Sequence, residues 1–83
     1  MSMKIHVRYY AQLREALGTS GEEVTLELSL GEREILECLA RIHPAQREMF
    51  LASRVAVEDR FMERRELLEA PAALDIISPI SGG

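Results

Sequence analysis

Eighty-three residues suffice for one small domain, and a composition of 47% hydrophobic and 29% charged residues excludes a disordered chain. The formal charge of −4, with Lys and Arg scattered, argues against binding nucleic acid through its phosphates and fits a partner with a basic surface better. One cysteine, Cys38, excludes an internal disulfide framework or a cysteine-rich metal site, and no apolar run approaches the roughly 20 residues of a membrane span.

The first ten residues, "MSMKIHVRYY", carry no signal-peptide pattern, so a soluble cytoplasmic protein with no membrane partner is the expectation. "KIHVRYY" alternates as a half-buried strand does, with Ile5, Val7 and Tyr9 on one face and Lys4, His6, Arg8 and Tyr10 on the other. "AQLREALG" predicts a short helix with Ala11, Leu13, Ala16 and Leu17 on its apolar side and Gly18 as a left-handed cap. After a turn at "TSGEE", "EVTLELSL" alternates again with Val24, Leu26 and Leu28 inward. The second helix is expected to open at "SLGE", with Ser29 as cap and Glu32 closing a capping box. Its apolar stripe is Ile35, Leu36, Leu39 and Ile42, and it ends near His43-Pro44 because proline disfavours helical geometry just before it.

"AQREMFLAS" reads as a short helix or a packed loop, with Met49, Phe50 and Leu51 directed at the core. "RVAVED" is a strand through Val55 and Val57, "RFME" a brief edge strand, and "RRELLEAPA" a turn holding a single helical turn. "ALDIIS" is the last strand, too apolar for an edge and so placed centrally, and Pro79 ends its pairing because it has no N–H. A mixed sheet with one helix laid across it buries these faces most economically.

Internal residues offer little chemistry. His6 reads as a surface strand residue and His43 as a helix-end residue, since neither has an orienting partner or a second ligand at metal spacing. Cys38 is expected to be a small, at least half-buried helix residue with nothing cationic beside it. The Glu22-Glu23 pair and the mixed charges of "EDRFMERRE" read as solvated surface. No phosphate-binding glycine loop, nucleophile elbow or zinc spacing is present, and no metal site is expected.

The stretch "DIISPISGG" stands apart. A central strand delivers the chain to the surface, Pro79 directs it outward, and Ser81, Gly82 and Gly83 have almost no side-chain bulk. Extended from Ser78, such an arm reaches roughly 20 Å. It is thin enough to thread a narrow channel and offer the Gly83 carboxylate to another protein's active site. Adenylation by ATP in a partner enzyme makes that carboxylate electrophilic, and attack by sulfide or persulfide then gives a thiocarboxylate.

With these residues the sequence resembles the small, sulfur-carrying subunit of molybdopterin synthase, within the ubiquitin-like sulfur carriers. "KIHVRYYAQLREALG", "LSLGEREILECLARIHP", "VAVED" and "IISPISGG" carry the likeness, which extends over essentially the whole chain. It implies an α+β, β-grasp fold: a mixed four- to five-stranded sheet with one main helix packed across it. Residues 1–83 are then a single domain, of which 78–83 form a flexible C-terminal tail. Gly83 matches the residue that becomes the thiocarboxylate (a C-terminal 1-thioglycine) and Gly82 its narrow neighbour. Pro79, Ile80 and Ser81 match the segment inserted into the large subunit, and Tyr10, Arg14 and Ile77 match positions at or near the partner interface. The implied partners are the large, catalytic subunit, in a heterotetramer, an ATP-dependent adenylating enzyme related to ubiquitin activators, and a sulfurtransferase or cysteine desulfurase as sulfur source. The chain itself is implied to be non-catalytic and to bind no cofactor tightly. Its sulfur is implied to go to cyclic pyranopterin monophosphate, forming the dithiolene of the molybdenum cofactor. Departures from the pattern are Glu58, where Asn is common, "APAA" at 70–73 in place of an acidic turn, and Ser78 in place of a first proline. The alternatives are a carrier for thiamine thiazole or another sulfur metabolite, a ubiquitin-like modifier joined to lysines through Gly83, or a plain interaction domain.

Overall fold

The alternation of the first stretch becomes strand β1 (Ser2–Tyr9), in which Ile5, Val7 and Tyr9 are buried and Lys4, His6 and Arg8 face solvent. The computed structural model describes residues 1–79. Helix α1 (Ala11–Leu17) follows directly and ends on Gly18 at φ 71°, whose N–H donates to the Arg14 carbonyl. Of its expected apolar side only Leu13 is buried and Leu17 is half-buried, while Ala11 and Ala16 are exposed. Seven residues make barely two turns, so a single row reaches the core.

Strand β2 (Gly21–Glu27) pairs antiparallel with β1, Ile5 opposite Val24, and buries Val24 and Leu26. Leu28 lies just beyond it, half-buried against the core. A short strand β3 (Leu30–Gly31) then intervenes, so helix α2 (Glu32–Ile42) starts two residues later than the Ser29 cap requires. Gly31 is the N-cap, and the Glu34 carboxylate accepts its N–H at 2.9 Å. Glu32 does not close a capping box. It reaches across to strand β4 (Arg54–Val57), accepting from the Val55 N–H and from Arg54 Nε, both at 2.8 Å. The buried stripe is Ile35, Leu36, Leu39 and Ala40. Ile42 is 47% exposed, because the last residue of a helix has no following turn to cover it.

The next segment resolves as a 3-10 turn (Pro44–Gln46) running into helix α3 (Arg47–Leu51), with Phe50 fully buried and Met49 and Leu51 packed around it. After β4 comes strand β5 (Arg60–Phe61), joined by Glu58 and Asp59 at φ 52° and 65°. The expected helical turn in "RRELLEAPA" is instead strand β6 (Leu67–Leu68), which pairs antiparallel with β3. Glu66 anchors the approach to it. Arg60 donates to both its carboxylate oxygens, the Glu63 N–H to one of them, and these bonds hold its pKa down at about 2. The last strand is β7 (Leu74–Ile77).

The main sheet runs β2-β1-β7-β4-β5, with β7 in the middle, parallel to β1 and antiparallel to β4. The central placement and the five-stranded mixed sheet agree with the sequence reading. One face buries Ile5, Val7, Val24, Leu26, Val55, Leu74 and Ile76 together with the stripe of α2 and with Leu13 and Phe50. Lys4, His6 and Arg8 of β1 line the other, open face, with Asp75 opposite Arg8 on β7. Among the described residues no helix is long and apolar enough to cross a membrane.

Candidate functional site

Parallel pairing sets the site. Because β1 and β7 run in the same direction with Tyr9 opposite Ile76, both strands finish at the same end of the sheet. Tyr10 and Ile77 are therefore the next residues beyond one paired row. Ser78 is still buried at 7% exposure, and Pro79 is exposed. Ile80, Ser81, Gly82 and Gly83 lie outside the described residues.

Tyr10 owes its position to a tight corner. Its carbonyl accepts the Leu13 and Arg14 amides, and Ala11 turns the chain from strand to helix at φ 50°, a left-handed geometry unusual for a residue with a Cβ. The Tyr10 hydroxyl donates to Asp75 Oδ1 at 2.9 Å, and the ring remains 39% exposed. Arg8, directly opposite Asp75, grips the same carboxylate through Nε at 2.6 Å and Nη2 at 3.1 Å. Those bonds raise the Arg8 pKa, and the bond to Asp75 is also the main cause of an upward shift for the Tyr10 phenol.

On the other flank Ile77 is paired with Arg54, whose guanidinium sits over the Phe61 ring at 4.8 Å from its centroid. Phe61 is 49% exposed. Periodicity gave no reason to single out Arg54, Phe61, Arg8 or Asp75, because "RF" is too short to show a pattern and the pairs join residues far apart in sequence. Arg14 lies on α1, exposed, and borders a shallow depression with His6, Arg8, Tyr10 and Gly21. Tyr10 and Ile77 thus come together at the strand ends, while Arg14 flanks Tyr10 on the side away from β7. The arrangement is an exposed platform, part apolar and part ionic. The groups it gathers bind and orient, and none is arranged as a nucleophile with its base.

A second cluster lies behind the sheet end. The Tyr9 hydroxyl and His43 Nε2 both meet Glu22 Oε2 at 2.6 Å, and the His43 ring stacks on Phe50, 5.9 Å between centroids. Glu22 is therefore a half-buried tertiary anchor rather than solvated surface, and His43 does have a carboxylate partner, contributed from 21 residues earlier. Burial pushes the Tyr9 phenol up, with the Glu22 bond adding to it. Burial also opposes ionisation of Glu22, but the bonds from Tyr9 and His43 outweigh it and the carboxyl pKa is lowered. Cys38 is half-buried and, against expectation, has a cation beside it: Arg41 Nη2 lies 3.2 Å from its sulfur. Among the described residues no group of three or more His, Cys, Asp and Glu side chains could hold a metal ion.

No protein-family model and no curated protein matches the chain. Solved structures do. A Pyrococcus furiosus protein assigned as molybdopterin converting factor, subunit 1, superposes with a TM-score of 0.76 at 22% identity, over 94% of this chain and 99% of that one. SAMP1 from Haloferax volcanii gives 0.76 at 20% identity, over 98% and 100% of the two chains. A complex of subunits 1 and 2 of molybdopterin-converting factor from Helicobacter pylori 26695 gives 0.59 at 16% identity, over 98% of this chain and 100% of that one. The architecture is one that these small proteins share throughout their length, and on that ground the chain has the β-grasp fold.

Proposed function

We propose that the chain is a sulfur carrier, the small subunit of a molybdopterin synthase, and that Gly83 is its working group. The observation that carries this reading is the position of β7. The strand that leads toward the Gly-Gly end is the middle one of the sheet, and it finishes at Ile77, beside Tyr10, on an exposed platform. Such a strand holds the base of an arm rigidly while the sheet's open face meets a partner. The Helicobacter pylori structure, a complex of subunits 1 and 2, supports a large-subunit partner for a protein of this shape.

In the proposed sequence an ATP-dependent activating enzyme forms an acyl-adenylate at Gly83 and releases pyrophosphate. A persulfide on a sulfurtransferase or cysteine desulfurase attacks the carbonyl carbon with its outer sulfur, the carbon–sulfur bond forms, and AMP departs with the carboxyl oxygen. A thiol then cleaves the sulfur–sulfur bond of this acyl disulfide, leaving the thiocarboxylate on Gly83 and a disulfide between the thiol and the enzyme's cysteine. Pro79, Ile80, Ser81 and Gly82 then carry the thiocarboxylate into the large subunit, where the sulfur passes to cyclic pyranopterin monophosphate. The chain donates sulfur and leaves catalysis to its partners, in a cytoplasmic heterotetramer of two small and two large subunits. Tyr10, Arg14 and Ile77 contact those partners.

Intact mass spectrometry of the protein from cells containing the activating enzyme tests the proposal. A mass gain of one oxygen-to-sulfur exchange, absent when Gly83 is deleted, is expected. Only the plain carboxylate under those conditions would overturn it. Isopeptide adducts on lysines would favour the protein-modifier reading, which uses the same activated terminus.

A further inference from the structure

Asp75 is an unusual residue for the open face of a sheet. A carboxylate there needs nothing but water, yet this side chain is only 13% exposed, with Arg8 of β1 and Tyr10 just beyond it both bonded to it. Arg8 reaches it from directly opposite and takes both oxygens in a fork. Tyr10 is two residues further along the chain, just past the end of β1, and its phenol reaches back to place its hydroxyl 2.9 Å from Oδ1. That bond fixes the phenol, whereas an exposed ring at a strand end otherwise has several rotamers open to it.

We infer that Asp75 is a positioning residue for the partner-facing platform, setting Tyr10 and Arg8 in their binding orientations before a partner arrives. The inference rests on the reading that this platform meets the large subunit. Ordering two long side chains in advance removes an entropic cost from association. The fork fixes the plane of the Arg8 guanidinium while leaving the side chain 46% exposed at the platform. An ordinary surface ion pair contributes little and couples to nothing. Here one nearly covered carboxylate gathers three donors from two residues, and both donor residues border the place where the chain leaves the sheet.

Calorimetric titration of the molybdopterin synthase large subunit with the full chain tests this, using wild type, Tyr10→Phe, Asp75→Ala, the double variant and Asp75→Asn. Tyr10→Phe is expected to weaken binding about fivefold and Asp75→Ala about tenfold or more. The double variant should be no weaker than Asp75→Ala within about twofold, because the hydroxyl acts only through Asp75. Asp75→Asn keeps an acceptor for Tyr10 but loses the charge opposite Arg8, so it should fall between wild type and Asp75→Ala. It also carries the test if Asp75→Ala unfolds. Absorbance titration of the phenols supplies a readout free of any partner. The lower-titrating tyrosine, Tyr10, should ionise at lower pH in Asp75→Ala than in wild type. Independent losses in the double variant, wild-type affinity in Asp75→Ala, or an unmoved Tyr10 titration overturns the inference. A wild-type chain that forms thiocarboxylate yet behaves in any of those ways separates this failure from the functional reading's own. A wild-type chain with neither thiocarboxylate nor large-subunit binding overturns both.

Discussion

Tyr9 and Tyr10 are adjacent, yet each hydroxyl serves a different carboxylate on a different side of the sheet. Tyr9 is 1% exposed and its hydroxyl donates a hydrogen bond to Glu22, which also meets His43. Removing the acceptor strands a buried donor, so Glu22→Ala is expected to cost about 1–3 kcal/mol, whereas Tyr9→Phe removes donor and need together and should cost about 1 kcal/mol. Urea denaturation at neutral pH distinguishes the two. The pH dependence follows from the lowered carboxyl pKa of folded Glu22. A carboxyl whose folded pKa lies below its unfolded value stabilises fully above the unfolded value. That contribution disappears as pH falls through the folded one. The gap between wild type and Glu22→Ala should therefore be complete at pH 7 and shrink steadily below about pH 4. A gap that persists unchanged at pH 3 would show that packing, not the ionised carboxylate, supplies the effect.

Elements show how local chemistry is satisfied or overruled. The β4–β5 hairpin turns on Glu58 and Asp59, both at positive φ, where Asn-Gly is the preferred pair. Asp59→Gly relieves left-handed strain at a modest entropic cost in the unfolded chain, and should stabilise by about 0.5–1 kcal/mol, read as a melting temperature a few degrees higher. Gly21 is the opposite case. A Cβ there would stand 2.9 Å from the Val7 carbonyl oxygen, so Gly21→Ala should destabilise by about 1–3 kcal/mol in the same assay. Long periodic segments were legible from sequence: β1, β2, the stripe of α2 and the Gly18 cap all appear where alternation and spacing put them. What escaped was two residues long or tertiary. Leu67–Leu68 has no period to read and is a strand only because Leu30–Gly31 pairs with it. That same pairing displaced the start of α2 and released Glu32 to bond β4. At the platform, Tyr10 and Ile77 were singled out only through the family resemblance, and the Arg8–Asp75 pair arises from the parallel register, which no local pattern reports.

At the scale of the whole molecule, the core and the residues beyond it call for different tests. The core cluster closes with Ile76, before Ser78 and Pro79. If the proposed function holds, Gly82→Ala is expected to leave the melting temperature unchanged while blocking sulfur delivery to the large subunit, because an added Cβ would obstruct the narrow channel proposed for the tail. Normal turnover by that variant would remove the channel argument. Leu39→Ala, inside the core, should do the reverse. It should lower stability by about 2–5 kcal/mol and leave sulfur transfer per folded molecule intact. The order of the strands has a consequence for how the protein is made. Among the described residues β7 is the last strand in the chain and the middle one of the sheet, so β1 and β4 lack their shared neighbour until Leu74–Ile77 has been made. Local hairpins can form earlier, but the sheet closes only around its final strand. Nascent chains stalled with Leu74–Ile77 still inside the exit tunnel should be cut readily by protease, and chains stalled a tunnel's length further on should resist. The fold thus matures from its edges inward, and a chain stalled short of Leu74–Ile77 is a set of local hairpins waiting for the strand that joins them.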